Sequence, residues 1–123
     1  MSILSTGRYL SLATWRRDGR EVRTPVWFVT LDGVHYCFTT RTAGKVKRIR
    51  RSPRAGIAPC TMRGALLGAW CNAQARLVDD TALCARVYAA LRRKYGWQMV
   101  LLDFIATLGR RHDQRVVIAL EEI

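Results

Sequence analysis

Two Asp-Gly pairs, Asp18-Gly19 and Asp32-Gly33, divide the first forty residues into three segments of β-type sequence. An Asp-Gly pair between such segments is typical of the tight turn that joins two antiparallel strands. Residues 8–15, 21–31 and 34–40 are therefore predicted to be three strands of an antiparallel meander. A chain that begins in this way is expected to be built on an antiparallel sheet.

The rest of the chain alternates helix and strand signals. A short helix is predicted at 43–51, with Thr42 as its N-cap and Ser52-Pro53 as its stop, because the residue before proline avoids the helical region. Strands are predicted at 55–60, 66–78 and 114–120. Two further helices are predicted at residues 81–95 and 97–108: acidic residues at 79–80 cap the first, and Gly96 ends it.

These elements add up to six strands with peripheral helices in one domain, residues 1–123. The expected architecture is a small antiparallel β-barrel, because a closed barrel leaves no exposed sheet edge. No signal peptide is recognised, and the longest apolar run is too short to span a bilayer, so the expectation is a soluble cytoplasmic protein.

The predicted helix at 43–51 is strongly basic and follows a strand that ends in Thr39 and Thr40. The start of a helix offers free N–H groups and a positive dipole end, which suit a phosphate. At 100° per residue Val46 and Ile49 form the buried side. The best predicted phosphate contact is Lys45, followed by Arg48, whereas Lys47 and Arg51 point away from the core.

The net charge of +12 is the outlier of the composition. Its cations are clustered, which favours an anionic ligand over a merely solvated surface. The four cysteines form no metal-binding spacing and are expected to be free thiols. His35 and Cys37 share a strand face, but no second pair completes a coordination shell, so no metal site is predicted.

Pro25 interrupts the second predicted strand. Proline cannot donate to a sheet ladder, so it marks an edge or a break at which backbone groups can face a ligand. Arg23 and Thr24 add donors beside it. Trp27 can stack on a planar ring, although a tryptophan in a strand is more often part of the core.

Several of these motifs together resemble the flavin-binding split β-barrels of the pyridoxamine 5'-phosphate oxidase-like family. The matching residues are Thr24–Trp27, Thr39-Thr40, the run from Ala43 to Pro53, Ala58–Cys60 and Arg63-Gly64. Within that family the chain resembles the flavin/deazaflavin oxidoreductases, whose members often use the deazaflavin coenzyme F420. The resemblance covers residues 8–95.

The resemblance implies a split β-barrel, usually a homodimer with its cofactor at the subunit interface. It implies that Lys45 binds phosphate and that residues 23–27 (Arg23, Thr24, Pro25, Val26 and Trp27) line the tricyclic ring. Gly44 falls where the oxidase carries an arginine, so that part of the grip is missing or comes from Lys47 or Arg48. The oxidase's substrate-binding pattern is not recognised, although Arg110, Arg111 and His112 lie in that region.

The leading hypothesis is an F420- or FMN-dependent oxidoreductase that transfers hydride to a small organic substrate. The cofactor would carry the chemistry, which agrees with a sequence that offers no catalytic dyad and hence no assigned catalytic residue. An anionic tail such as that of F420 would use the surplus cations. The alternatives are an FMN-binding protein without deazaflavin use, a nucleic-acid-binding module, and a haem-binding barrel in which His35 is a ligand.

Overall fold

The computed structural model describes residues 7–108 and 115–123, which form seven strands and three helices. The strands are β1 Tyr9–Trp15, β2 Glu21–Val26, β3 Phe28–Leu31, β4 Val34–Thr40, β5 Arg54–Cys60, β6 Cys71–Val78 and β7 Arg115–Glu122. The helices are α1 Gly44–Arg51, α2 Thr81–Tyr95 and α3 Trp97–Leu108. None of the described helices combines the length and the hydropathy needed to cross a bilayer.

The strands form one antiparallel sheet in the order β2-β1-β5-β6-β7-β4-β3. The mainly β prediction is confirmed, but the prediction of a closed six-stranded barrel is wrong. The segment predicted as one strand over residues 21–31 is two strands, which lie at opposite edges of the sheet and are separated by Trp27 alone. The two edge strands are therefore consecutive in the chain, but no ladder of hydrogen bonds joins them to close the sheet.

The break follows from a change of partner at Trp27. Residues before it pair with β1, from Glu21 opposite Trp15 to Val26 opposite Leu10. Residues after it pair with β4, from Phe28 opposite Cys37 onwards. Pro25 lies on the edge strand β2, where a residue without an N–H is tolerated, so the prediction that it marks an edge or an interruption is confirmed.

Both faces of the sheet are covered. One apolar cluster is built from strand side chains and Ile49 of α1, while a second lies between the sheet and helices α2 and α3. The last strand, β7, shows the division: Ile118 and Leu120 belong to the first cluster, and Val117 and Ala119 to the second. This alternation explains why β7 is apolar on both of its faces.

Two local predictions need correction. The strand predicted over residues 66–78 begins only at Cys71. Leu66 forms an isolated bridge with Cys60, the Leu67 N–H donates to the Pro59 carbonyl at 2.8 Å, and residues 68–70 belong to no strand. The N-cap of α1 is Ala43 and not Thr42, and no side chain caps it. The cap of α2 is as predicted, since Asp80 accepts hydrogen bonds from the backbone of Ala82 and Leu83.

Candidate functional site

A gap between β2 and the end of β4 brings the two groups of predicted binding residues to the same part of the molecule. The pairing of β3 with β4 stops at Phe28 opposite Cys37. Continuing that register would place Val26 opposite Thr39 and Pro25 opposite Thr40, but β2 pairs with β1 instead. We call this gap the split: residues 23–27 border it on one side and residues 39–40 on the other.

Helix α1 packs against β1 and β6 at one end of the sheet. Val46 and Ile49 are 0% and 5% exposed, as the helical periodicity predicts. From the last turn of α1, the Arg51 guanidinium donates a hydrogen bond to the carbonyl oxygen of Trp15 at 2.6 Å. These contacts fix the helix, so the positions of its first-turn cations are determined by packing.

Lys45 is half-buried in the first turn of α1. Burial lowers the pKa of its amine, the charge of Arg48 acts in the same direction, and the Cys37 thiol opposes them. Within the described residues no carboxylate forms an ion pair with Lys45. A bound anion would relieve this partly desolvated charge, as the phosphate prediction requires.

Arg48 reaches back over the start of α1. Its Nε donates to the Thr14 hydroxyl at 2.6 Å, and Thr14 is 2% exposed. A Cβ placed on Gly44 would lie 2.8 Å from Nη1 of Arg48, so the absence of a side chain at Gly44 makes room for this guanidinium. Burial lowers the pKa of Arg48, followed by the charges of Arg16 and Arg51. Lys45 and Arg48 therefore form a cationic cradle at the start of α1.

The remaining residues predicted to bind the cofactor differ in their exposure and in their contacts with the rest of the protein. Thr40 and Lys47 are exposed, and Thr24 and Thr39 are half-buried. Arg23 forms an ion pair with Glu21 at 3.0 Å, and its guanidinium carbon lies 4.7 Å from the centre of the Trp70 ring. Val26 is 9% exposed, so at this position the backbone is better placed than the side chain to meet a ligand.

The end of α2 anchors the junction between β2 and β3. The Trp27 ring stacks on the Tyr95 ring, with centroids 4.6 Å apart and 9° between the planes. The Lys94 ammonium donates to the Phe28 carbonyl at 2.8 Å. Sequence reasoning missed both α2 residues, since Tyr95 fitted the apolar stripe of the helix and nothing local linked either residue to the junction.

His35 is 2% exposed, and both of its ring nitrogens are engaged. Nδ1 lies 2.7 Å from the Thr30 hydroxyl, and Nε2 lies 3.1 Å from a carboxylate oxygen of Glu122. This arrangement matches a packed core histidine and leaves it poorly placed to ligate a metal. The predicted region of Arg110, Arg111 and His112 lies outside the described residues.

The fold is a mainly β one, a seven-stranded antiparallel sheet that stays open at the split, and a cationic cradle lies beside that split. Residues 2–121 match the family model described as pyridoxamine 5'-phosphate oxidase. The chain belongs to this family, so the predicted family is confirmed. No curated protein sequence matches it.

Solved structures share the fold at low sequence identity. The haem storage protein HutZ from Vibrio cholerae is 17% identical with a TM-score of 0.72, and the match covers 94% of this chain and 82% of that one. An FAD-binding protein from Mesorhizobium loti is 15% identical with a TM-score of 0.63, over 98% and 82% of the two chains. An F420 reductase is 17% identical with a TM-score of 0.57, over 98% and 90%.

Proposed function

We propose that this protein is an oxidoreductase that binds a phosphorylated flavin-type cofactor, F420 or FMN, and transfers hydride to a small organic substrate. The observation that carries the proposal is the cradle of Lys45 and Arg48, whose charges have no carboxylate partner among the described residues. The family and the FAD-binding and F420 reductase relatives support the same class.

The chain's residues divide the work of holding such a cofactor. Lys45 and Arg48 bind the phosphate, and the hydroxyls of Thr39 and Thr40 add donors at the end of β4. Residues 23–27 would line the ring of the bound cofactor. The bound cofactor supplies the hydride chemistry, while the protein orients the ring and limits water around it.

Of the two candidate cofactors we propose F420 over FMN, because the protein carries more positive charge than one phosphate requires. Helix α1 contains five lysine and arginine residues and no acidic residue. A single phosphate uses two or three cations, whereas an acidic tail with several carboxylates uses more. Lys47 is exposed on the outer side of α1 and is assigned to such a tail.

A homodimer with the cofactor at its interface is part of the proposal. Two groups of large apolar side chains are exposed, which is typical of a surface that contacts another protein. The first group lies between β5 and β6 and consists of Met62, Leu66 and Leu67, which are 43–64% exposed. The second group lies on α3 and is 48–73% exposed: Trp97, Val100, Leu101 and Ile105. Sedimentation equilibrium of the purified protein tests this expectation, and a monomer at all concentrations would contradict it.

The visible spectrum of the protein as purified is the first test, because flavin, deazaflavin and haem absorb differently. Calorimetric titration of the apoprotein with F420 and with FMN follows. We expect saturable binding of F420, and weaker binding of FMN. Tight FMN binding without F420 binding would reverse the order of the two cofactors, and binding of neither would contradict the proposed function.

A haem-binding role is the second candidate, favoured by the structural similarity to a haem storage protein. His35 gives it no support, since its two ring nitrogens lie at 2.7 and 3.1 Å from Thr30 and Glu122. A Soret band that persists in a His35→Ala variant would indicate haem binding through another residue. Nucleic-acid binding is a further alternative from the basic helix, and it predicts an affinity that falls steeply with salt.

A further inference from the structure

A cleft of about 500 Å³ lies at the end of the sheet where β4, β6 and β7 meet α1 and α2. Leucine and valine side chains of β6 and β7 form its apolar part. Its polar lining comprises Arg41, Arg50, Arg115, Asp79, Thr81 and Tyr88. Lys45, Lys47 and Arg48 do not line this cleft, so it is separate from the cradle.

Its three arginines come from three different elements. Arg41 directly follows β4, Arg50 lies in the last turn of α1, and Arg115 begins β7 opposite Thr40. Arg41 and Arg50 are exposed and form no ion pair within the described part of the chain. Asp79 is the single carboxylate among the described residues of the lining, which therefore carry an excess of positive charge.

Arg115 is held in place by aromatic rings. Its guanidinium carbon lies 5.0 Å from the centre of the Phe38 ring and 5.8 Å from that of Tyr88. Such cation–π contacts hold a guanidinium in a fixed orientation. One cation of the cleft is thus preorganised, which lowers the cost of ordering it when an anion binds.

We propose that this cleft binds an anion with several carboxylates. Guanidinium groups pair with carboxylates through two parallel hydrogen bonds, and arginines on three sides suit carboxylates that are spaced along a ligand. The apolar part of the wall suits the methylene groups between them. The volume lies within the usual range for small-ligand sites, about 300–1,000 Å³.

Two sources share this chemistry: the acidic tail of a cofactor bound in the split, or a separate polycarboxylate. The first rests on the proposed function and the second does not. Thr40 connects the two regions, because it borders the split and pairs with Arg115. A cofactor tail that passes the end of β4 would therefore enter the cleft.

The test is calorimetric titration of the apoprotein with tetraglutamate at constant ionic strength. The variant is Arg41→Gln/Arg50→Gln, and the matched control is Arg17→Gln/Arg63→Gln, which removes the same charge from exposed positions outside the cleft. We expect saturable binding that weakens by roughly tenfold or more in the cleft variant and by less than about twofold in the control. All variants should retain the thermal unfolding midpoint of the parent protein.

Lys45→Ala is titrated alongside as a variant of the cradle. Three results would overturn the proposal: no saturable binding by the parent protein, equal losses in the two double variants, or a loss confined to Lys45→Ala. Absence of saturable binding would mean that the cleft is not a site. Equal losses would mean that tetraglutamate responds only to the overall charge, and a loss confined to Lys45→Ala would mean that the cradle holds the anion.

The source is then identified with F420 and a tail-less F420 fragment. Weaker binding of F420 alone in the cleft variant identifies the tail, whereas unchanged binding of both identifies a separate polycarboxylate. The tetraglutamate titration needs no cofactor, so failure of the proposed function leaves it interpretable.

Discussion

The hydroxyl oxygen of Tyr95 lies 3.0 Å from the backbone nitrogen of Phe28 and 3.0 Å from its carbonyl oxygen. Phe28 is the first residue after the sheet break. It lies on the edge strand β3, so only one of its two sides faces another strand, β4. The hydroxyl accepts from the Phe28 N–H, while its own proton is directed to the carbonyl of Phe28 or to that of Arg8 at 2.6 Å. One side chain thus satisfies backbone groups that the change of strand partner leaves without a ladder.

Tyr95→Phe should lower the free energy of unfolding by about 1–3 kcal/mol, the usual cost of leaving a buried N–H unsatisfied. Chemical denaturation measures this loss. Tyr9→Phe is the control, because Tyr9 makes no side-chain hydrogen bond within the described residues. Phenylalanine keeps the ring that stacks on Trp27, so this variant separates the hydroxyl contacts from the stacking. Equal stability of the two variants would show that the Phe28 contacts contribute nothing.

Lys94 gives the junction a pH dependence. Burial, followed by the charge of Arg8, lowers the pKa of Lys94 from 10.5 to about 8. Between these values the unfolded chain holds more protons than the folded one, so Lys94 makes the free energy of unfolding rise with pH over this window. Buried thiols, and Tyr95 with its pKa raised to about 12, act in the opposite direction at high pH.

The difference between the parent protein and Lys94→Met isolates the contribution of this residue. Denaturant unfolding at several pH values should show a gap in stability that changes in favour of the parent protein as the pH rises above about 8. A gap that stays constant with pH would mean that Lys94 titrates at its ordinary pKa.

The sequence was informative where local chemistry decides the structure. The Asp-Gly turns, the Asp80 cap and the buried positions Val46 and Ile49 of α1 were predictable because each depends on near neighbours in the chain. The break at Trp27 was not, since residues 21–31 form a continuous β-type segment and only distant β1 and β4 determine where it changes partner.

The candidate site divides in the same way. Helical periodicity places Lys45 and Arg48 on the edge of the buried side of α1, and the structure has both half-buried. The role of Thr14 as partner of Arg48 depends on a contact across 34 positions of the chain. The same holds for Lys94 and Tyr95, which reach Phe28 only through the tertiary fold.

Lys45→Ala should weaken cofactor binding by about 1.5–3 kcal/mol, the scale of a charge-assisted hydrogen bond to phosphate. Lys47→Ala is the matched control, since it removes an exposed lysine from the opposite side of the same helix. For FMN, which has a phosphate and no acidic tail, the control should be almost neutral. Calorimetry with FMN and F420 measures both affinities. An unchanged affinity in folded Lys45→Ala would exclude this residue as the phosphate contact.

The close approach of Arg48 to Gly44 gives a test of how the cradle is built. A methyl group at Gly44 would lie 2.8 Å from Nη1 of Arg48 and would push the guanidinium aside. Gly44→Ala should therefore weaken cofactor binding by about 0.5–1 kcal/mol, the lower end of the coupling seen between residues in contact. Stability should not fall in parallel, because alanine is the better helix former.

A double-mutant cycle with Arg48→Ala decides whether the effect acts through the guanidinium. Arg48→Ala alone should cost about 1.5–3 kcal/mol of cofactor binding, since it removes one charged donor. If Gly44 matters only because it makes room for Arg48, then adding Gly44→Ala to Arg48→Ala should cost nothing further. A loss that persists in the Arg48→Ala background would mean that the new methyl group meets the cofactor directly. In that case the bare backbone of Gly44, and not the guanidinium, would form this wall of the cradle.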